Sequence, residues 1–221
     1  SYIDGSLHFE SCDVSDLADQ YDTPMYVYSL AAIRDNFHRL GDAFSSLPHL
    51  ICYALKANSN PTLLRTLAGL GAGADVVSAG ELALALENGM SAEKIVFAGV
   101  GKRDDEIKAG LDAAILGFNV ESVMELENIN RLAGECGQLA PISFRVNPKI
   151  DIHGHPYIST GRKEDKFGIP IEQVFELISN FGSFDNCRLV GFHTHIGSQI
   201  DDIHSFEARA RVLRQLLEHC R

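Results

Sequence analysis

The sequence predicts an α/β chain folded as part of a parallel (β/α)8 barrel, and three observations carry that expectation. Short β-rich runs alternate with runs of helical period through about six successive units. The predicted strands have one bulky apolar face and one face that becomes small or polar toward its C-terminal end. Those polar groups collect at strand ends, the rim at which barrel enzymes place their chemistry. A doubly wound open sheet begins with the same alternation, but it is covered on both sides and calls for apolar residues on both faces. The barrel is therefore preferred. A closed barrel needs eight strands, so the chain is expected to form an incomplete one.

The first predicted strand, 51–55, places Ile51, Tyr53 and Leu55 on one face and Cys52, Ala54 and then Lys56 on the other. Pro61 suits a helix start, and Leu63, Leu64, Leu67 and Leu70 form the apolar face of that helix. Further strands are expected at 74–78, 95–98, 113–118, 142–146 and 188–193. On the fifth, Ser143, Arg145 and Asn147 oppose Ile142, Phe144 and Val146. On the sixth, Leu189, Gly191, His193 and His195 oppose Val190, Phe192 and Thr194. The later helices present Val123, Leu126, Ile129 and Ala133; then Val174, Ile178 and Phe181; then Phe206, Ala210, Leu213 and Leu217. The last stretch, 213–221, stops inside an amphipathic helix and reads as a truncation.

Composition narrows the function classes. Hydrophobic residues make up 45% of the 221, enough for a sizeable core. A net charge of −11 argues against binding a nucleic-acid backbone or an anionic membrane. It leaves room for one small anion in a local pocket of opposite sign. No run of 18 apolar residues is present, so no spanning helix is expected. The N-terminus, SYIDGSLHFE, has no basic segment followed by an apolar core, so no signal peptide is expected. The five cysteines are scattered, without a CxxC pair. A reducing cytoplasm is the expected compartment.

Several residues invite a chemical reading. Lys56 ends the first strand on the inward face; it is either a lysine snorkelling to the rim or a nucleophilic, Schiff-base amine. The polar turn Asn58, Ser59 and Asn60 follows. The glycines of 69-GLGAGAD-75 follow a helix and open a strand, which is the reverse of a dinucleotide fingerprint and fits a helix C-cap. Asp75 then faces the interior, as a structural carboxylate or a catalytic one. Arg145 lies mid-strand among apolar neighbours and needs a partner; Asp75 is the candidate. In 191-GFHTHIGSQ-199, His193 and His195 both point inward. Zinc would need three or four ligands, and no metal is expected. In the preferred alternative, a histidine stacks on a flat ring while the Gly197 backbone and the Ser198 hydroxyl cradle an anion. The segment 151–170 is long enough to be a lid or ligand loop, or an ordinary excursion.

The words 26-YVYSLAAIRDNF-37, 53-YALKAN-58, 73-GADVVSAGEL-82, 145-RVNP-148, 156-PYISTG-161, 166-KFGI-169 and 191-GFHTHIGSQ-199 occur together and in this order. With them the chain resembles the N-terminal part of the ornithine/diaminopimelate/arginine decarboxylase family, pyridoxal 5'-phosphate (PLP) enzymes of the alanine-racemase-like fold type III. HPYISTG, KFGI and THIGSQ point to its diaminopimelate branch. The resemblance implies a PLP-binding (β/α)8 barrel over residues 29–221 and a segment, 1–28, associated with the family's β domain. It implies that Lys56 carries PLP, that His195 stacks on the ring and that Ser198 binds phosphate. Asp75, Arg145 and Gly197 would lie beside the cofactor. The implied reaction is decarboxylation of meso-diaminopimelate to L-lysine, in a homodimer whose partner subunit completes each site. In the family, two further strands, a glycine-rich phosphate loop, a glutamate opposite the ring nitrogen and a C-terminal β domain follow. The 221 residues by themselves are therefore expected to have little or no activity.

Overall fold

The computed structural model describes residues 1–147, 167–195, 197 and 203–220. The chain opens with three short antiparallel strands, β1 (Tyr2–Ile3), β2 (Ser6–Phe9) and β3 (Cys12–Asp13), in the order β1-β2-β3. Helix α1 (Val14–Tyr21) follows, capped by the Asp13 carboxylate on the Ser15 N–H. Ser29 caps α2 (Leu30–Ala43) in the same manner, through the Ala32 N–H.

From there strand and helix alternate. The elements are β4 (Cys52–Ala54), α3 (Pro61–Gly69), β5 (Gly73–Val76), α4 (Ala79–Glu87), β6 (Ile95–Phe97), α5 (Asp104–Asp112), β7 (Gly117–Val120), α6 (Val123–Glu135), β8 (Ala140–Asn147), β9 (Ile169–Pro170), α7 (Ile171–Ser179), β10 (Cys187–His193) and α8 (Ile203–His219). Six strands pair in parallel in the order β4-β5-β6-β7-β8-β10, and β9 adds to the end of β8. Spatial order follows chain order without reversal. Right-handed crossovers that never reverse put every helix on one face, as in a barrel and unlike a doubly wound sheet. The described sheet is an arc with β4 and β10 at its edges.

One face of the arc is the core. Ala74, Val76, Ile95, Phe97, Phe118, Val120, Ile142 and Phe144 are fully buried beneath Leu64, Ile107, Leu126, Ile129, Leu132 and Val174 of the helices. Each large side chain so buried stabilises the fold by about 1.5–3 kcal/mol. The Phe97 and Phe118 rings lie 6.1 Å apart across β6 and β7. Small residues let the layers close. A Cβ on Gly73 would sit 2.1 Å from the Lys94 carbonyl oxygen and 3.0 Å from Cys52 Sγ.

Four expectations need correction. The fourth strand is not 113–118. Helix α5 runs to Asp112, and Ala114 has a φ of 53°, so extended backbone begins only at Gly117. Lys56 is not in the first strand either; β4 ends at Ala54, and Lys56 lies in the 3-10 turn Leu55–Ala57. On β10 the register slips between Leu189 and Gly191, so Leu189 pairs with Ile142 and Gly191 with Ser143. The bulge turns Leu189 toward the helices, while Gly191 and His193 keep the opposite face. In α8 the buried residues are Ser205, Arg209 and Leu216, while Phe206 and Leu217 are exposed. This helix rests on α7 through Phe175 and His219, whose ring centroids are 4.8 Å apart. Val212 and Leu216 are apolar side chains of this helix that meet the core.

Candidate active site

The inner face of the arc ends in polar groups because its alternation is in phase from strand to strand. Ala54 pairs with Asp75, Asp75 with Val96, and Asn119 with Ser143; Arg145 pairs with His193. Side chains at matched positions share a face, so the last inward residue of each strand reaches the same rim. There, Lys56, Asp75, Val77, Ala98, Gly99, Val100, Arg145, Phe167, His193 and His195 line a cleft of about 260 Å³. Residues that are far apart in sequence thus meet where the strands end.

Their electrostatics follow from burial. Lys56 is exposed at the mouth. Burial raises the Asp75 carboxyl above its ordinary pKa, and the charges of Lys56, Arg145 and Lys102 oppose that rise. Its Oδ1 is buried without a hydrogen-bond partner. Burial pushes His193 down to about 4, and Arg145 is the next cause; its Nδ1 is also buried without a partner. His195 is lowered too, by burial first and then by Arg145 and Lys56. The cleft therefore holds two imidazoles biased to the neutral state and an unmet carboxylate oxygen beside an amine and a guanidinium. A flat, polar, anionic ring compound fits this donor and acceptor set. Gly197, just beyond, has a φ of 125°, a conformation that favours glycine. Ser198 and the HGH of 153–155 lie outside the described residues, as does most of the 151–170 segment. Of that segment, Phe167 stands 5.5 Å from the Arg145 guanidinium carbon, and Ile169 pairs with Val146. Among the described residues, no three His, Cys, Asp or Glu groups stand close enough to hold a metal ion.

Arg145 does not pair with Asp75 as expected. Its Nη1 donates to both carboxylate oxygens of Glu121, each at 2.7 Å. Glu121 directly follows β7, and its side chain is 2% exposed. The mislocated fourth strand hid it: with β7 at 117–120, Asn119 and Glu121 fall on the inward face. A second buried pair was also missed. Lys102 Nζ, with its side chain 1% exposed, donates to Glu125 Oε1 at 2.5 Å, to Asn119 O at 2.8 Å and to Gly99 O at 2.9 Å. A legible signal existed, because 78-SAGE-81 and 122-SVME-125 both have capping-box spacing. Ser78 and Ser122 each accept the N–H of the glutamate three residues on, and Glu81 and Glu125 accept the Val77 and Glu121 N–H groups. Two strand–helix loops are thereby built alike.

Comparison with known proteins shows the family to which the chain belongs. Residues 30–221 match the family described as pyridoxal-dependent decarboxylase, pyridoxal binding domain. The chain is 46% identical over 205 residues to the diaminopimelate decarboxylase of Haemophilus influenzae, covering 93% of this chain and 49% of that protein. It is 45% identical over 217 residues to that of Aquifex aeolicus, covering 98% and 51%. A solved diaminopimelate decarboxylase from Helicobacter pylori, complexed with L-lysine, superimposes with a TM-score of 0.87 at 42% identity, over 93% of this chain and 53% of that one. The chain spans about half the length of the curated relatives it matches. The chain therefore belongs to the pyridoxal-dependent decarboxylase family, with residues 30–221 matching its pyridoxal binding domain.

Proposed function

We propose that this chain is the cofactor-binding half of a PLP-dependent decarboxylase that converts meso-diaminopimelate to L-lysine and carbon dioxide. The observation that carries the reading is the convergence of Lys56, Asp75, Arg145, His193 and His195 on one cleft at the C-terminal rim. Bound PLP supplies an electron sink for the carbanion left when a carboxylate departs. The chain's own residues do the rest. Lys56 presents its amine at the cleft mouth as the covalent anchor. His195, biased to the neutral form, offers a flat face to a ring without adding charge. Asp75 and Arg145 orient the cofactor through opposite charges, and Gly197 with Ser198 receives the phosphate. Phe167 and Val100 add apolar surface to the cleft lining.

In the same reading, residues 1–28 belong to a second, β-rich domain and 29–221 to the barrel. The full-length protein is a cytoplasmic homodimer in which the partner completes each site. Its substrate is a small amino acid, with neither nucleic acid nor membrane involved. Among the described residues, no helix is long and apolar enough to cross a membrane.

The test uses the full-length protein and its Lys56→Ala variant. PLP added to the parent should give a visible absorption band, and borohydride should fix the group on Lys56, seen by peptide mass. The variant should do neither. Carbon dioxide and lysine should form from meso-diaminopimelate. Release from ornithine or arginine in its place would move the substrate to another branch of the family, and no band in either protein would refute the cofactor reading.

A further inference from the structure

We propose that Glu121 is a positioning residue of the cofactor site, holding Arg145 and the cleft wall at Gly99 in one fixed arrangement on which tight binding of a pyridoxal ring depends. The proposal rests on the PLP reading above and adds a residue that the sequence motifs do not mark.

The geometry is specific. Both Glu121 oxygens lie 2.7 Å from Arg145 Nη1, and Oε1 also accepts the Gly99 N–H at 3.0 Å. Arg145 is held from its other side by the Phe167 ring, 5.5 Å away. The Gly99 carbonyl is taken in turn by Lys102. One residue of the cleft wall, Gly99, is therefore held at both its N–H and its carbonyl by buried charged side chains, and Gly99 and Arg145 both line the cleft. Gly99 has a φ of 91°, a backbone conformation that favours glycine.

Packing does not require such an arrangement. A buried ion pair is a weak source of stability compared with an apolar pair of the same volume. What it supplies is direction. An arginine side chain is rotamer-rich, and fixing it before a ligand arrives removes the ordering cost from binding. Arg145 so placed also adds to burial in keeping His193 and His195 neutral. Glu121 thus acts on the cofactor through Arg145 and without touching the cleft itself, since it is not among the lining residues.

The experiment titrates PLP into the apo form of the full-length protein and its Glu121→Gln, Glu121→Asp, Arg145→Gln and Glu121→Gln/Arg145→Gln variants. Binding is followed by the visible band, and ring orientation by the visible circular dichroism of bound PLP. Glu121→Gln should raise the dissociation constant roughly tenfold and reduce the ellipticity, with partial recovery in Glu121→Asp. In the Arg145→Gln background, Glu121→Gln should add less than about threefold, because the main route, through Arg145, is already lost and only the contact with the Gly99 N–H remains. That double variant leaves neither member of this ion pair as an unpaired charge, so it tests the proposal even if Glu121→Gln alone folds poorly. Wild-type affinity and ellipticity in Glu121→Gln, whatever happens to its thermal midpoint, would overturn the proposal. So would effects that multiply independently in the double variant. Either result leaves the PLP reading standing; only a wild-type protein without a visible band defeats both.

Discussion

Replacing Lys102 by methionine removes one buried charge and strands three acceptors. Lys102 Nζ stands 2.5 Å from Glu125 Oε1, 2.8 Å from Asn119 O and 2.9 Å from Gly99 O. The lysine side chain is 1% exposed and that of Glu125 9%. Methionine keeps most of the length and can stay against Phe97, so little is lost in packing. The main cost is an uncompensated carboxylate in a buried site, about 3–5 kcal/mol when one partner of such a pair is removed. Burial already raises the Glu125 pKa, and Lys102 is the main group opposing it. Without Lys102 the folded-state pKa rises further above that of the unfolded chain. The folded state then holds its proton more readily, so the penalty is smallest below the unfolded value and grows as pH rises through the folded one. Chemical denaturation of the full-length protein at pH 7.5 and 5.5 should show a large loss for Lys102→Met at the higher pH and a smaller one at the lower. Lys102→Met/Glu125→Gln, which removes the orphaned charge, should recover at least half of the loss. A loss below about 1 kcal/mol at pH 7.5 would contradict the reasoning, given the cost expected for breaking such a pair. An equal loss at both pH values, or a double variant no better than the single, would contradict it too.

Two further outcomes follow from the same geometry. His193, pushed down to about 4 from an ordinary 6.5, is protonated first in the unfolded chain as pH falls. It contributes stability above about pH 6.5 that is lost toward pH 4, on the order of 2 kcal/mol between pH 7.5 and 5. Denaturation of apo His193→Gln should be correspondingly less acid-sensitive than the parent, and an unchanged pH slope would refute the assignment. Gly73→Ala drives a methyl group to 2.1 Å from the Lys94 carbonyl oxygen, which is backbone and cannot swing away. It should cost about 1–3 kcal/mol or more; a neutral effect in denaturation would show that β5 and β6 can spread.

Much of the barrel was legible because its signals are local. Alternation in 142–146, Pro61 ahead of a leucine stripe and the repeated strand–helix unit need only neighbouring residues to be read. The misreadings came where one element overruled another's local pattern. The apolar run 113–118 resembles a strand, but Ala113 caps the end of α5 and Ala114 turns left-handed. That error displaced β7 and hid Glu121. The bulge at Leu189–Gly191 changes the face of one residue without changing composition. The stripe of α8 is visible in sequence, but which face lies against the fold is not.

The sequence by itself determined most of the strand–helix alternation, the inward placement of Asp75, Arg145 and His193, and the family, because period and motif are properties of the chain. Tertiary structure decided the pairing. Whether Arg145 meets Asp75 or Glu121 depends on distances between neighbouring strands, and those follow from a register that no single strand contains. The same holds for Lys102, an unremarkable surface lysine in sequence. It is buried only because Gly99, Asn119 and Glu125, from three separate loops or elements, present their oxygens to one point. A charge can leave water only when all its partners are already in place, and only the assembled sheet brings them there.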